Sequence, residues 1–332
     1  MANKTIYDVA ALAGVSLATV SRVINNPEVV KEKTKNRVLK AIKELGYKPN
    51  VIARNLATSK TTTVGVLVSD VTRSNISELL GGIIDIAKKY KYSIKLFAVD
   101  YNKPFIETVL EVVSEQVNGL LCLDDELSDT EVGLIKEWLS KNRIPFVFGN
   151  SYYEDPEIPS VTVDFEKASY EITKILAEDN RKNIYFLSTK RRYSVNMAKE
   201  KGYLRACNEF KIVPKVFVTT GDVLTSKEHF NEFFENKKKV DAAIGVRDSI
   251  AVNFLNVAKK YGKQIPQDIA VVGFQNSKYT LLSSPTLTTL DVPIYDIGAV
   301  SMRLLTKLMD GESLENIKIV LPHAIIERES TR

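Results

Sequence analysis

The chain has only two cysteines and two histidines in 332 residues. Two cysteines give no disulfide framework, and Cys122, inside the apolar run Gly119-Leu-Leu-Cys-Leu123, reads as a small buried hydrophobe. His229 and His323 lie far apart with no ligand cluster around them, so they read as surface or packing residues and no metal is expected. Asp124-Asp-Glu126 has no neutral ligands beside it and reads as a cleft-rim loop. No apolar leader is visible, and no run approaches the roughly eighteen apolar residues of a membrane span. A soluble protein of a reducing, cytoplasmic compartment is therefore expected. Neither a Walker A sequence nor a glycine-rich dinucleotide fingerprint occurs. No catalytic residue or cofactor is expected, and enzyme readings are set aside.

What the chain does have lies at its start. The run Thr5-Ile-Tyr-Asp-Val-Ala-Ala-Leu-Ala-Gly-Val-Ser-Leu-Ala-Thr-Val-Ser-Arg-Val-Ile-Asn25 reads as two short helices joined by a tight turn. Thr5 and Asp8 have the spacing of a capping box, and Ile6, Val9, Ala10 and Ala13 recur at helical period. Gly14 permits the backbone angle that ends the first helix. Ser16 caps the second, which turns Val20, Val23 and Ile24 inward and Leu17, Ala18, Ser21, Arg22 and Asn25 outward. Small residues let a helix approach base edges, while Arg and Asn reach guanine and adenine. The competing reading is a plain helical hairpin. Charge favours DNA: residues 1–60 carry eleven Lys and Arg against four acids, a net of +7, while the whole chain is only +5. Positive charge gathered on one small module suits a phosphate backbone. A membrane-surface helix needs larger apolar residues than Leu17-Ala18.

A third helix is predicted from about Lys33 to Leu45, stopped by Gly46, and Val51–Ala57 has the pattern of a short helix that orders only against a partner. Beyond Thr61 the period changes. Apolar strand-like runs at Thr63–Ser69, Ile94–Val99, Leu120–Leu123, Phe146–Phe148 and Val161–Val163 are followed by a second series at Ile184–Leu187, Val216–Val218, Ala242–Val246, Ile269–Phe274 and Leu287–Leu290. Amphipathic segments such as Ile76–Tyr90, Thr108–Gln116, Glu166–Ala177 and Ile250–Lys260 lie between them. Continuous apolar strands separated by helices predict parallel sheets covered on both faces. Two such series predict two doubly wound lobes with a cleft at the strands' carboxyl ends.

Thr5–Asn25, Tyr47-x-Pro-Asn50, Ala53-Arg-x-Leu-Ala57, Thr61-Thr-Thr-Val-Gly-Val66, Val271-Val-Gly-Phe274, Pro285-x-Leu-Thr-Thr289 and Leu321–Arg328 resemble the LacI/GalR family of bacterial repressors across essentially the whole chain. The resemblance implies an all-α helix-turn-helix headpiece with a hinge helix, and an α/β two-lobed core of doubly wound parallel sheets like that of periplasmic binding proteins. The headpiece would span residues 1–48, the hinge 49–60 and the core 61–332. The first lobe would comprise about 61–161 and 291–321, the second about 162–290 and 322–332. It further implies a homodimer on a pseudo-palindromic operator in double-stranded DNA. Ser16, Leu17, Ala18 and Arg22 would face bases, and Thr5, Tyr7, Ser21, Asn25, Tyr47 and Asn50 would bind or buttress phosphates. Ala53 and Arg54 belong to the matching hinge, where Leu56 would wedge into the central minor-groove step. The alternative for Leu56 is the core face of a short helix.

Within the family, Lys60-Thr-Thr-Thr-Val-Gly65, Ile86-Ala-x-x-Tyr-Lys-Tyr92 and the segment from Tyr295 to Lys307 are similar to the catabolite-control regulators of low-GC Gram-positive bacteria. That resemblance implies a corepressor, the phosphocarrier HPr phosphorylated on serine, docking on a helix that includes Tyr295. Asp296, Val300, Arg303 and Lys307 fall on one face of that helix, and Arg with Lys one turn on suits a phosphoserine. An ordinary solvated helix face is the alternative. Where sugar-binding members carry an Arg and an Asp, this chain has Lys199 and Gln275, and Asn150 stands where an Asp often lies. Lys190-Arg191-Arg192 and Arg247 add positive charge near the same rim, so a phosphorylated sugar is a second candidate effector, against the alternative of a solvated basic loop. The runner-up function is an operon-specific repressor answering to a sugar or sugar phosphate. A solute-binding protein would share the core but lack the basic headpiece.

Overall fold

The computed structural model describes residues 4–47, 62–71, 73–100, 102–123, 127–151, 153, 155–190 and 194–332, and its contacts divide the chain into two units, Met1–Thr61 and Thr62–Arg332. The hinge expected at 49–60, including the helix over Val51–Ala57, lies outside the described residues.

The first unit is a trio of helices, α1 (Ile6–Ala13), α2 (Leu17–Asn25) and α3 (Glu32–Leu45), with a 3-10 turn at Pro27–Val29. α3 ends at Gly46, whose φ of +62° is the left-handed cap that glycine adopts without strain. Helices this short are marginal alone. They order by sharing one core of Val9, Val20, Val23, Val38 and Ala41, with Ile6, Ile24, Ile42, Leu45 and Tyr47 packed at its edge.

The second unit holds two six-stranded sheets. The first lobe is built on β1 (Thr63–Val68), β2 (Ser93–Ala98), β3 (Gly119–Cys122), β4 (Phe146–Gly149), β5 (Ser160–Val163) and β11 (Lys318–Leu321), in the order β11-β5-β4-β3-β1-β2. The second uses β6 (Ile184–Thr189), β7 (Lys215–Thr219), β8 (Ala242–Gly245), β9 (Ala270–Phe274), β10 (Thr288–Asp291) and β12 (Ala324–Ile326), in the order β12-β10-β9-β8-β6-β7. The chain passes from sheet to sheet after β5, after β10 and between β11 and β12. Every described strand pair is parallel except β10 with β12. The two parallel series of the sequence are present, but each gains a sixth strand that apolar runs did not reveal. β11 and β12 are short, half-exposed edge strands without a fully buried position, so they lack the continuous apolar run of β3 or β4.

Between the strands run α4 (Ser74–Lys89), α5 (Phe105–Ser114), α6 (Asp129–Lys141), α7 (Phe165–Glu178), α8 (Ser194–Glu209), α9 (Val223–Glu235), α10 (Asp248–Lys260), a short α11 (Tyr279–Leu282) and α12 (Ile294–Met309). α4 and α12 pack on the first sheet with backbones nearly touching. A methyl group on Gly82 would meet the Tyr295 carbonyl oxygen and the Ala299 nitrogen, and one on Gly298 would meet the Leu79 carbonyl. Cys122 and Cys207 are both buried thiols. Among the described residues no single helix is long and apolar enough to cross a membrane, and no group of His, Cys, Asp and Glu is placed to hold a metal ion.

Gly82→Ala and Gly298→Ala should each destabilise the core, although alanine is the better helix former. The added methyl must push backbone rather than side chain, at about 1–3 kcal/mol, which thermal melts should read as a Tm lower by roughly 2–10 °C.

Candidate functional site

Three surfaces hold the residues singled out in the sequence. In the first unit, the Thr5 backbone N–H and hydroxyl both donate to the Asp8 carboxylate (2.8 and 3.0 Å), and the Asp8 N–H returns a bond to the Thr5 hydroxyl. The Thr5 backbone N–H, then its hydroxyl, hold the Asp8 carboxyl below its ordinary value. Gly14 closes α1 at a φ of +60°, its N–H bonding the Ala10 and Ala11 carbonyls. The Ser16 hydroxyl accepts from the Thr19 N–H at 3.3 Å and starts α2. Between α1 and α2 the chain turns by 104°, inside the range of a helix-turn-helix.

That turn leaves Leu17, Ala18 and Arg22 exposed on α2 beside the exposed Ser16, with Ser21 half-buried. Thr5 and Tyr7 are exposed on α1, and Tyr7 keeps 67% of its surface accessible. An exposed aromatic beside a capped helix start and an Arg on the next helix make a surface that can present donors to phosphate and base edges together. Tyr47 is more buried than a purely phosphate-binding residue would be, since its ring packs against the helical core. The Asn25 side chain and Asn50, Ala53, Arg54 and Leu56 lie outside the described residues.

The second surface is the outer face of α12. Asp296, Arg303 and Lys307 are exposed along it and Val300 is half-buried. Lys307 leans on Glu312 at 3.7 Å. The Tyr295 hydroxyl donates to Asp85 of α4 at 2.8 Å, a bond that raises the phenol above its ordinary value. Asp85 was not foreseen. Its position one helix away is set by the glycine contact between α4 and α12, which spacing along either helix does not reveal.

The third is the cleft between the lobes. Asn150, Lys199, Arg247 and Gln275 come together there around a space of about 30 Å³, joined by Arg73, Asn75 and Asn196, which were not foreseen. These three follow β1 and β6, at the strand ends where a doubly wound sheet builds its sites. Lys190 instead borders a separate surface pocket with Thr189 and Glu200, and Arg191 and Arg192 lie outside the described residues. The cations of the cleft are engaged by the protein itself. An Arg247 guanidinium nitrogen donates to the Gly221 carbonyl at 2.9 Å, and the Lys199 ammonium donates to the Val246 carbonyl at 2.9 Å. Asn150 has a left-handed φ of +58°, and its carboxamide oxygen is buried without a hydrogen-bond partner among the described residues.

Below the cleft, Asp248 is 1% exposed. It accepts from the Ser277 N–H and the Thr289 hydroxyl, each at 2.7 Å. Burial pushes its carboxyl up to about 6, against these bonds and the nearby Lys199 ammonium. Because the folded value lies above the ordinary 3.8, this group favours the fold at low pH and loses that contribution as pH rises through about 6. Asp248→Asn removes the titration. The variant's Tm relative to wild type should therefore climb between about pH 4 and 6.5 and level off above that in thermal melts, and a constant offset across this range would refute the assignment.

Residues 5–50 match the family model for bacterial regulatory proteins of the lacI family, and residues 173–331 match that for a periplasmic binding protein-like domain. The chain is 38% identical over 335 residues to catabolite control protein A of Priestia megaterium, covering 99% of this chain and 100% of that one. It is 37% identical to the HTH-type transcriptional regulator RegA of Clostridium saccharobutylicum, over 98% and 99% of the two chains. A crystal structure of the lac repressor dimer bound to operator and an anti-inducer has the same fold, with a TM-score of 0.91 over 99% of both chains at 23% identity. The regulator CcpA of Lactococcus lactis superimposes with a TM-score of 0.72 at 32% identity, covering 82% of this chain and 100% of that one. With a DNA-reading module and a two-lobed core both matched, and full-length relatives at this identity, the chain belongs to the lacI family of bacterial regulatory proteins and is a DNA-binding transcriptional regulator rather than an enzyme.

Proposed function

We propose that this regulator acts in carbon catabolite control, as a cytoplasmic homodimer that binds a pseudo-palindromic operator in double-stranded DNA when serine-phosphorylated HPr docks on its core. The observation that carries the reading is the face of α12. Asp296, Val300, Arg303 and Lys307 line one side of a helix seated firmly on α4, with Tyr295 flanking them, and no described acid pairs with Arg303. A guanidinium with an ammonium one turn on matches the charge and bidentate geometry of a phosphoserine. Full-length similarity to catabolite control protein A supports the same assignment.

A dimer is supported by apolar side chains left bare on the second lobe. Val223 and Leu224 at the start of α9 are 55% and 75% exposed, and Leu281 and Leu282 on α11 are 64% and 79% exposed. Both sets flank α10, whose Asn253 carboxamide donates to the Val223 carbonyl at 2.7 Å. Such patches on a soluble protein mark contact surfaces. A dimer presents two copies of α2, so Ser16, Leu17, Ala18 and Arg22 read bases in each half-site. Thr5, Tyr7, Ser21, Asn25, Tyr47 and Asn50 hold phosphates, and Ala53, Arg54 and Leu56 supply the hinge contact. The lac repressor structure of the same fold is a dimer on its operator.

The second reading is a repressor controlled by a sugar or sugar phosphate. It is favoured by the polar cleft residues but opposed by a space of about 30 Å³, room for about one water.

Gel shifts decide between these readings. Arg22→Ala should weaken operator binding by about 1–3 kcal/mol, roughly tenfold to a hundredfold, and relax preference at one base pair per half-site. Serine-phosphorylated HPr should tighten wild-type binding, and Arg303→Ala should lose most of that gain without altering binding in its absence. Indifference to HPr together with a response to glucose 6-phosphate or fructose bisphosphate would hand the function to the second reading.

A further inference from the structure

Lys199 is the one lysine among the largest fully buried side chains of the described residues, at 2% exposure. Taking an ammonium out of water costs several kcal/mol unless its surroundings replace the lost hydration. Here the replacement is complete in kind. The Val246 carbonyl accepts at 2.9 Å. The ring centres of Phe165 and Phe274 stand 4.9 and 4.6 Å from the ammonium. The Asp248 carboxyl adds a Coulombic attraction. A carbonyl acceptor, two aromatic faces and an acid form the set of groups that recognises an alkylammonium ligand. They come from four elements: the start of α7, the segment after β8, the end of β9 and the start of α10. All converge on the carboxyl ends of the strands, where this architecture places small ligands.

The rest of the cleft agrees. Asn150, Asn196, Gln275, Asn75 and Arg73 close around the space beside Lys199, about 30 Å³. A sugar ring needs several times that volume. The larger interlobe space of about 990 Å³ between Lys136 and Met197 is not lined by Lys199. α8 itself is built for the task, because it buries Asn196 and Lys199 on the stripe where a core helix ordinarily carries only apolar residues.

We propose that Lys199 is a tethered ligand of the interlobe cleft and a specificity-determining residue: its ammonium fills an alkylammonium site, so the native cleft takes no neutral sugar. The assignment concerns occupancy of the cleft alone and stands whether or not HPr proves to be the partner.

Chemical rescue in the full-length protein tests it. Lys199→Ala deletes the three outer methylenes and the ammonium, the shape of n-propylammonium. The variant should melt below wild type, and ~100 mM propylammonium chloride should raise its Tm by about 2–4 °C over sodium chloride at equal ionic strength, as expected for a ligand binding only the folded state. Wild type and Lys199→Met, whose sites are filled, should show no such difference. An equal response of all three proteins, or none in Lys199→Ala, overturns the proposal. Calorimetry of wild type with ribose and with cellobiose should be silent, and saturable heat from either overturns it as well. Should Lys199→Ala fail to fold, competitive acetylation of wild type decides. Lys199 should react about 100-fold more slowly than Lys201, since its modification requires opening of the packed core, and equal rates overturn the assignment.

Discussion

The near-contact of two helix backbones, at Gly82 of α4 and Gly298 of α12, is the constraint on which much of the core depends. α12 begins immediately after the chain leaves the second lobe at β10, so its seat on α4 fixes where that crossing strand enters the first lobe. The same approach brings Tyr295 to Asp85 and turns Asp296, Arg303 and Lys307 outward as one surface. Packed cores transmit small shifts as discrete rearrangements rather than gradual ones. A protein bound on the outer face of α12 therefore presses directly on the element that joins the lobes.

Much of this architecture was legible from apolar periodicity. β3 and β4, buried at every position, announced themselves as continuous apolar runs, and Thr5, Gly14, Ser16 and Gly46 marked helix ends by chemistry that acts locally. β11 and β12 were not legible, because they are only four and three residues long and, unlike the edge strands β2 and β7, hold no fully buried position. α8 carries a weaker apolar signal, because its buried stripe includes Asn196, Lys199 and Gly202, residues that a hydrophobicity pattern counts as solvent-facing.

The sites divide in the same way. Exposure of Leu17, Ala18 and Arg22 followed from a helix whose inward face was already assigned. The cleft was harder to read. Asn150, Lys199, Arg247 and Gln275 line one space, but the Lys199 ammonium and one Arg247 guanidinium nitrogen are spent on backbone carbonyls rather than held out to a ligand. Lys190 parted from them to a neighbouring pocket. Sequence spacing reports which residues reach a strand end. It does not report whether a carbonyl or a ring has already claimed them, and that is decided by non-local packing such as the approach of Val246, Phe165 and Phe274.

The triple crossing between sheets has a consequence for how the chain is made and broken. Because β11 completes the first sheet and β12 the second, neither lobe is encoded by a continuous stretch of the gene. The last residues are anchored like an interior segment: the Ser330 hydroxyl accepts from the Thr288 N–H at 2.8 Å and donates to the Val271 carbonyl at 2.6 Å. Neither sheet is therefore complete until residues 318–326 are in place. A frameshift near residue 318 would strip an outer strand from both sheets at once rather than trim a tail.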